Sequence, residues 1–245
     1  MLNLKYNYEK LSRTTEEGQR LYKTPDGNKL PSVTTVLTAT QPAKKVQALK
    51  EWRDRVGHEK AATITTQAAN RGTKMHTYLE NFITDGVLAD RPSNPFHHTS
   101  HIMAETVIQE GLSKVNEVWG VEIGLFMPQM YAGTADGAGV HLGDETIFDY
   151  KQTNRPKKES QVEDYYLQLA AYALAHNEIH GTKIRKGVIL MCAKPKTDTD
   201  GFLILNEDGT VKEKPYYQEF IIEGKEFDHW AQQWWLRLEQ YYSLR

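Results

Sequence analysis

Cysteine is almost missing: Cys192 is the one thiol among 245 residues. That excludes a disulfide framework within the chain, an iron–sulfur cluster, and a zinc site built from several thiolates. Nothing in this usage points to an oxidising compartment. Long apolar runs are missing too. No stretch approaches the ~20 residues that a membrane span needs. The first residues, MLNLKYNYEKL, carry no apolar signal core, and they are too rich in tyrosine and acid for a transit peptide. The expected compartment is therefore the cytoplasm, or a host cytoplasm for a viral protein. An excess of one charge sign is also lacking, with Lys plus Arg at 30, Asp plus Glu at 32, and a net charge of -2. Coating nucleic acid through bulk charge is excluded, whereas a local basic groove is not. There is no internal repeat and no low-complexity tract.

What remains is the composition of a soluble globular chain, 39% hydrophobic and 25% charged, long enough to bury a proper core. Residues 43–60 and 65–84 have helical composition, and Ser100 to Val118 reads as a further helix. Gly120 to Met127, Tyr131 to Val140 and Glu145 to Lys151 alternate as strands, the last two joined by the polar turn 141–144 into an antiparallel hairpin. A helix over 161–177 follows, then strands at Lys186 to Cys192 and Tyr216 to Ile222. A Trp- and Tyr-rich helix from Phe227 to Leu244 closes the order. These elements predict an α/β architecture, a mixed sheet flanked by helices.

The hairpin carries the most informative residues. Side chains on a strand alternate, so Asp149 and Lys151 share a face and Tyr150 points away. The turn folds the preceding strand alongside, which brings Asp136 of Gly133-Thr134-Ala135-Asp136 towards Asp149. Two carboxylates beside a lysine repel without a cation. A hard divalent ion such as Mg²⁺ resolves this, because it takes oxygen ligands and bridges to phosphate. The lysine then either positions or deprotonates a water, or neutralises charge developing on the phosphate. Asp-x-Lys is also common on solvated strand faces, so the pair alone carries little weight.

A second element lies upstream. In Arg71-Gly72-Thr73-Lys74-Met75-His76, His76 and Glu80 stand four apart on one helical face. The imidazole either ligates a metal or is a core-edge histidine bonded to Glu80. Arg71 and Gly72 add a cation and a close-approach position suited to phosphate. Gln168 and Tyr172, also four apart, lie on the helix after the hairpin. The glutamine has reach towards the site, and the tyrosine ring is expected to pack on the sheet.

In this order the segments resemble the RecB-like branch of the PD-(D/E)XK nuclease superfamily, and within it the group of mitochondrial genome maintenance exonucleases and their phage homologues. Residues 30–37 and 154–157 extend the resemblance to about residues 30–193. It implies a restriction-endonuclease-like core over a single nuclease domain, 1–245, with residues 1–65 as an N-terminal extension whose helical part arches over the site. It implies His76, Asp136 and Asp149 as metal ligands, with the Tyr150 carbonyl as a further ligand. Lys151 is implied as the catalytic lysine and Gln168 as the motif glutamine. Arg71, Ser32, Thr34, Arg155 and Tyr172 are implied as substrate contacts. Glu122 and Glu80 take weaker, outer positions. The activity implied is a Mg²⁺- or Mn²⁺-dependent deoxyribonuclease with one or two ions, an exonuclease on single-stranded DNA with a free end. Its expected partners are DNA and replication or recombination proteins, with no membrane. Unlike some relatives, this chain cannot hold an iron–sulfur cluster. It also shows no mitochondrial targeting segment, so a phage or bacterial origin is expected. The rival readings are a structure-specific endonuclease and a single-strand-binding module without activity.

The basic residues fit a polyanion locally. Lys44, Lys45, Lys50, Arg53, Arg55 and Lys60 precede the His76 segment, though Glu51, Asp54 and Glu59 dilute them. Arg155, Lys157 and Lys158 follow the catalytic strand, and Lys183, Arg185 and Lys186 precede the next. The aromatic residues of the C-terminal helix are expected to cover the sheet.

Overall fold

A computed structural model describes residues 2–244. Its first three strands, β1 (Ser12–Glu16), β2 (Gln19–Lys23) and β3 (Lys29–Pro31), form a small antiparallel meander. Four helices follow: α1 (Val33–Ala39), α2 (Ala43–Val56), α3 (His58–Asp85) and α4 (His98–Glu110). The main sheet begins with β4 (Val115–Met127), β5 (Tyr131–His141) and β6 (Asp144–Thr153). After α5 (Glu163–His180) come β7 (Lys186–Ala193), β8 (Tyr216–Glu223) and α6 (Gly224–Ser243). Strand order is β4-β5-β6-β7-β8, antiparallel throughout except for the parallel β6–β7 pair. A parallel pair needs a long crossover, and α5 provides it.

Period-two alternation decides which helix covers which face. Ile147, Ile189 and Met191 point to one side, where they pack with Leu169 and Ala173 of α5 and with Trp234 and Leu238 of α6. Phe148, Tyr150, Val188 and Leu190 point to the other, against Met75 and Leu79 of α3 and Met103 and Val107 of α4. The sheet is thus covered on both sides, a mixed α/β arrangement consistent with a restriction-endonuclease-like core. The expected aromatic face of the last helix is there, with Trp234 and Tyr241 buried.

The sequence expectations need correction in four places. The helix expected over Ser100 to Val118 ends at Glu110, and β4 already begins at Val115. The two helices expected at 43–60 and 65–84 divide instead at Gly57, whose φ of 90° suits glycine. The meander over residues 12–31 was not anticipated. Finally, α1 was not anticipated. Its β-branched run VTTVLT is a poor helix former, but Ser32 caps it by accepting from the Thr35 N–H, and Val33, Val36 and Leu37 bury in the core.

Candidate active site

The site lies where two strands part. β5 and β6 pair from His141/Asp144 to Gly137/Phe148, and there the ladder stops. Beyond that point the Tyr150 N–H has lost its neighbouring strand, and the Asp136 carboxylate accepts it at 2.7 Å. A side chain has replaced the ladder bond, which fixes Asp136 in the gap. On β6, Asp149 and Lys151 point into the same gap and form an ion pair with each other. α3 brings His76 in from the opposite side. Its Nε2 lies 3.0 Å from the Tyr150 carbonyl and its Nδ1 lies 3.6 Å from Asp136 Oδ1. A carbonyl only accepts, so the proton is on Nε2, and Nδ1 turns a free lone pair towards Asp136. Burial, with Lys151 adding to it, holds the imidazole below its usual pKa and therefore neutral.

The electrostatics are those of crowded carboxylates. Burial and the neighbouring Asp136 push Asp149 up to about 7. Burial also raises Asp136, against the pull of Lys151 and the Tyr150 N–H. Burial works against the Lys151 charge, but Asp149 and Asp136 outweigh it and hold the ammonium above its ordinary range. The Lys151 Nζ also stands 5.1 Å from the centre of the Tyr165 ring. Glu122 on β4, opposite Asp136 in the register, has a φ of 48°. A glutamate in the left-handed region is unusual and marks strain of the kind that gathers at functional sites. Partial loss of solvation and the charges of Asp136, Glu80 and Asp149 push Glu122 up to about 7, although its side chain still reaches solvent.

His76, Glu122 and Asp136 each offer a ligand atom within 4.8 Å of the others. Carboxylate oxygens with one imidazole suit Mg²⁺ or Mn²⁺ better than a soft metal. The donor set therefore fits a hard divalent cation, which would relieve the mutual repulsion of the acids. Glu122, expected in an outer position, is one of these three, and Asp149 beside them pairs with Lys151. The Tyr150 carbonyl, the expected backbone ligand, is engaged by His76 on one of its lone pairs.

The surrounding cleft, of about 200 Å³, is lined by most of the expected residues: Ser32, Thr34, Asp136, Asp149, Lys151, Gln168 and Tyr172. Gln168 Nε2 donates to the Tyr172 hydroxyl at 3.3 Å. Tyr172 in turn fits against Gly133, where a Cβ would come within 2.8 Å of its ring. Ser32 bonds Thr34 and Thr35 through its hydroxyl at 2.9 and 2.8 Å, which fixes the start of α1 at the cleft. Arg71 and Arg155 are not brought to this cleft. Arg71 donates to Gln152 at 2.9 Å and to Asn154, on another side of α3. Arg155 lies exposed beyond the end of β6. Several groove cations are also tied elsewhere: Lys45 to Asp164, Arg185 to Asp228, and Lys186 to Asp144 and Glu223. In their place the meander supplies Arg13, Arg20 and Tyr22, which sequence reading missed. A signal was present: Glu17-Gly18 between two short polar runs is a tight hairpin turn, and both residues have positive φ.

A restriction-endonuclease-like sheet that splays around two aspartates and a lysine defines the structural class. No family model matches the chain. It is similar to "Mitochondrial genome maintenance exonuclease 1" of Mus musculus, 25% identical over 222 residues, covering 87% of this chain and 59% of that protein. The protein of the same name from Homo sapiens is 26% identical over 223 residues, with 87% and 58% covered. The chain thus spans about three fifths of the length of these distant homologues.

Proposed function

We propose that the chain is a metal-dependent deoxyribonuclease, an exonuclease that prefers single-stranded DNA with a free end. The observation that carries this reading is the convergence of Asp136, Asp149, Lys151 and neutral His76 in one cleft. The names of the two relatives agree with it. A cation held by His76, Glu122, Asp136 and Asp149 would supply a Lewis acid for the phosphate and a water of lowered pKa. Lys151 aims an ammonium at the same spot, where it positions the water and neutralises charge on the phosphate oxygens. Asp149 holds that ammonium in place. Arg13 and Arg20 set the incoming phosphates, and Gln168 fixes the Tyr172 ring as a wall of the cleft. Water adds to phosphorus, the bond to the leaving sugar oxygen breaks, and that oxygen takes up a proton.

Two features support a single strand. The cleft, of about 200 Å³, is on the scale of a single nucleotide. In addition, α2 buries none of its residues, as the arch expected over a threaded strand requires. The test is a time course on end-labelled linear and circular oligonucleotides in Mg²⁺, in Mn²⁺ and in chelator. Stepwise loss of linear single strands with the circle spared is expected. Cutting of the circle would favour an endonuclease, and binding without cleavage an inactive binding module.

Three further outcomes follow from the same geometry. Metal binding must displace protons from carboxyls poised at about 7, so affinity for Mn²⁺ rises with pH up to about 7 and levels off above it. Calorimetric titration at several pH values reads this slope; a flat profile from pH 5.5 to 8 would contradict it. Arg20→Ala removes a phosphate contact, so KM for an oligonucleotide rises about tenfold while kcat holds, and the salt dependence weakens by about one unit. Equal activity and salt slope would remove Arg20 from the substrate path. Gly133→Val drives a side chain into Tyr172, so cleavage falls at least about tenfold with a small loss of Tm. A variant of full activity would show that the Tyr172 position is immaterial.

A further inference from the structure

A second cavity, of about 490 Å³, opens on the other side of α3. At 3.6 residues per turn, Arg71 and Lys74 stand about 140° and 160° around the helix from His76. With Lys194, at the end of β7, they line this cavity. None of the three forms an ion pair among the described residues. Arg71 donates only to the neutral amides of Gln152 and Asn154, and Lys194 donates to Thr197 Oγ1 at 3.1 Å. Burial, together with the nearby Arg71 charge, holds Lys194 below its ordinary pKa. Half-buried cations facing each other without a counter-ion call for an anion. Asp200 lines the cavity too, but it pairs with none of them.

The rim adds a different chemistry. Phe96 is 67% exposed, an unusual state for phenylalanine, and its ring lies 4.8 Å from that of Phe202. Exposed rings beside unpaired cations are the components of single-strand recognition, in which bases stack and phosphates meet charge. The cavity is wired to the catalytic strand. Gln152, next to Lys151, accepts from Arg71 and donates to the Ala68 carbonyl of α3 at 2.9 Å.

We propose that this cavity is a nucleotide-binding site distinct from the catalytic cleft, taking a phosphate between Arg71 and Lys194 and a base against Phe96. The nucleotide has two possible sources: a segment of the strand held in the cleft, or a free nucleoside monophosphate. Only the first source rests on the nuclease reading. The test is binding in chelator, where no cleavage occurs. A labelled twelve-residue oligothymidylate is followed by fluorescence anisotropy, and thymidine monophosphate by calorimetry. The variants are Phe96→Ala and Lys194→Gln; the exposed Phe96 ring makes the first safe for folding. About tenfold weaker binding of the oligonucleotide by both variants is expected. If that occurs while the monophosphate fails to bind the wild type, the strand is the occupant. If the monophosphate binds the wild type and is lost in the variants, free nucleotide is the occupant. Both ligands bound by the variants as by the wild type would overturn the proposal. A wild type that cleaves in Mg²⁺ while the variants bind normally sinks this cavity alone. A wild type that never cleaves sinks the nuclease reading and leaves the binding result standing.

Discussion

Asp149→Asn lowers the rate of DNA hydrolysis at least about a thousandfold while leaving DNA affinity within a few-fold of wild type. Two effects combine. The amide is a poorer ligand for a hard cation than a carboxylate, and it no longer anchors the Lys151 ammonium that Asp149 now holds. Groups that act as one unit lose activity together, so Lys151→Met is expected to reach a similar floor and the double variant to fall little further. Stability separates this from misfolding. The folded Asp149 carboxyl sits at about 7, raised above the roughly 3.9 of an unfolded chain. A raised folded pKa gives stability that is present below about pH 4 and lost as pH rises through about 7. At pH 8 the metal-free protein therefore carries an ionised acid against its preference, and asparagine removes that cost. In chelator at pH 8, Asp149→Asn melts no lower than the wild type. Added Mg²⁺ then raises the wild-type Tm more than that of the variant. Melting far below wild type in chelator would make Asp149 a structural residue, and a wild-type cleavage rate would end its catalytic assignment.

The largest effect on folding is expected at Gly139→Ala. Gly139 lies near the end of β5, paired with Val118 on one side and Thr146 on the other. A Cβ there would come to 2.0 Å from the Glu117 carbonyl oxygen. The obstacle is backbone, so no rotamer change relieves it, and β4 must move away from β5. That movement breaks ladder bonds between β5 and the edge strand β4 and disturbs Asp136 three residues away. A cost of about 3 kcal/mol is expected, which for a chain of this size lowers Tm by about 6–12 °C. Thermal melting checks it, and an unchanged Tm would mean that β4 and β5 are not packed as described.

The acidic hairpin was legible because two signals agree there. Strand alternation puts Asp149 and Lys151 on one face, and the polar turn at 141–144 fixes the pairing that returns Asp136 to them. The parting of the strands was not legible, since nothing local in Asp136 or Tyr150 shows that the side chain will take over a backbone hydrogen bond. β1 escaped notice because all five of its residues are exposed and polar, leaving no alternation to read. With β1 and β2 went Arg13, Arg20 and Tyr22, three residues of the cleft. α1 escaped because its β-branched residues argue against a helix that tertiary burial nevertheless enforces. Arg71 shows a different limit: it shares a helix with His76, and only the helical geometry reveals that it faces a second cavity.

The proposed chemistry needs one cation held between α3 and the two parted strands. Crystals soaked in Mn²⁺, with diffraction recorded at the manganese absorption edge, locate that ion directly. An anomalous peak is expected between the Nδ1 of His76 and the carboxylates of Asp136 and Glu122, with Asp149 beside it. No peak there at saturating Mn²⁺, or a peak only elsewhere on the molecule, would contradict that chemistry.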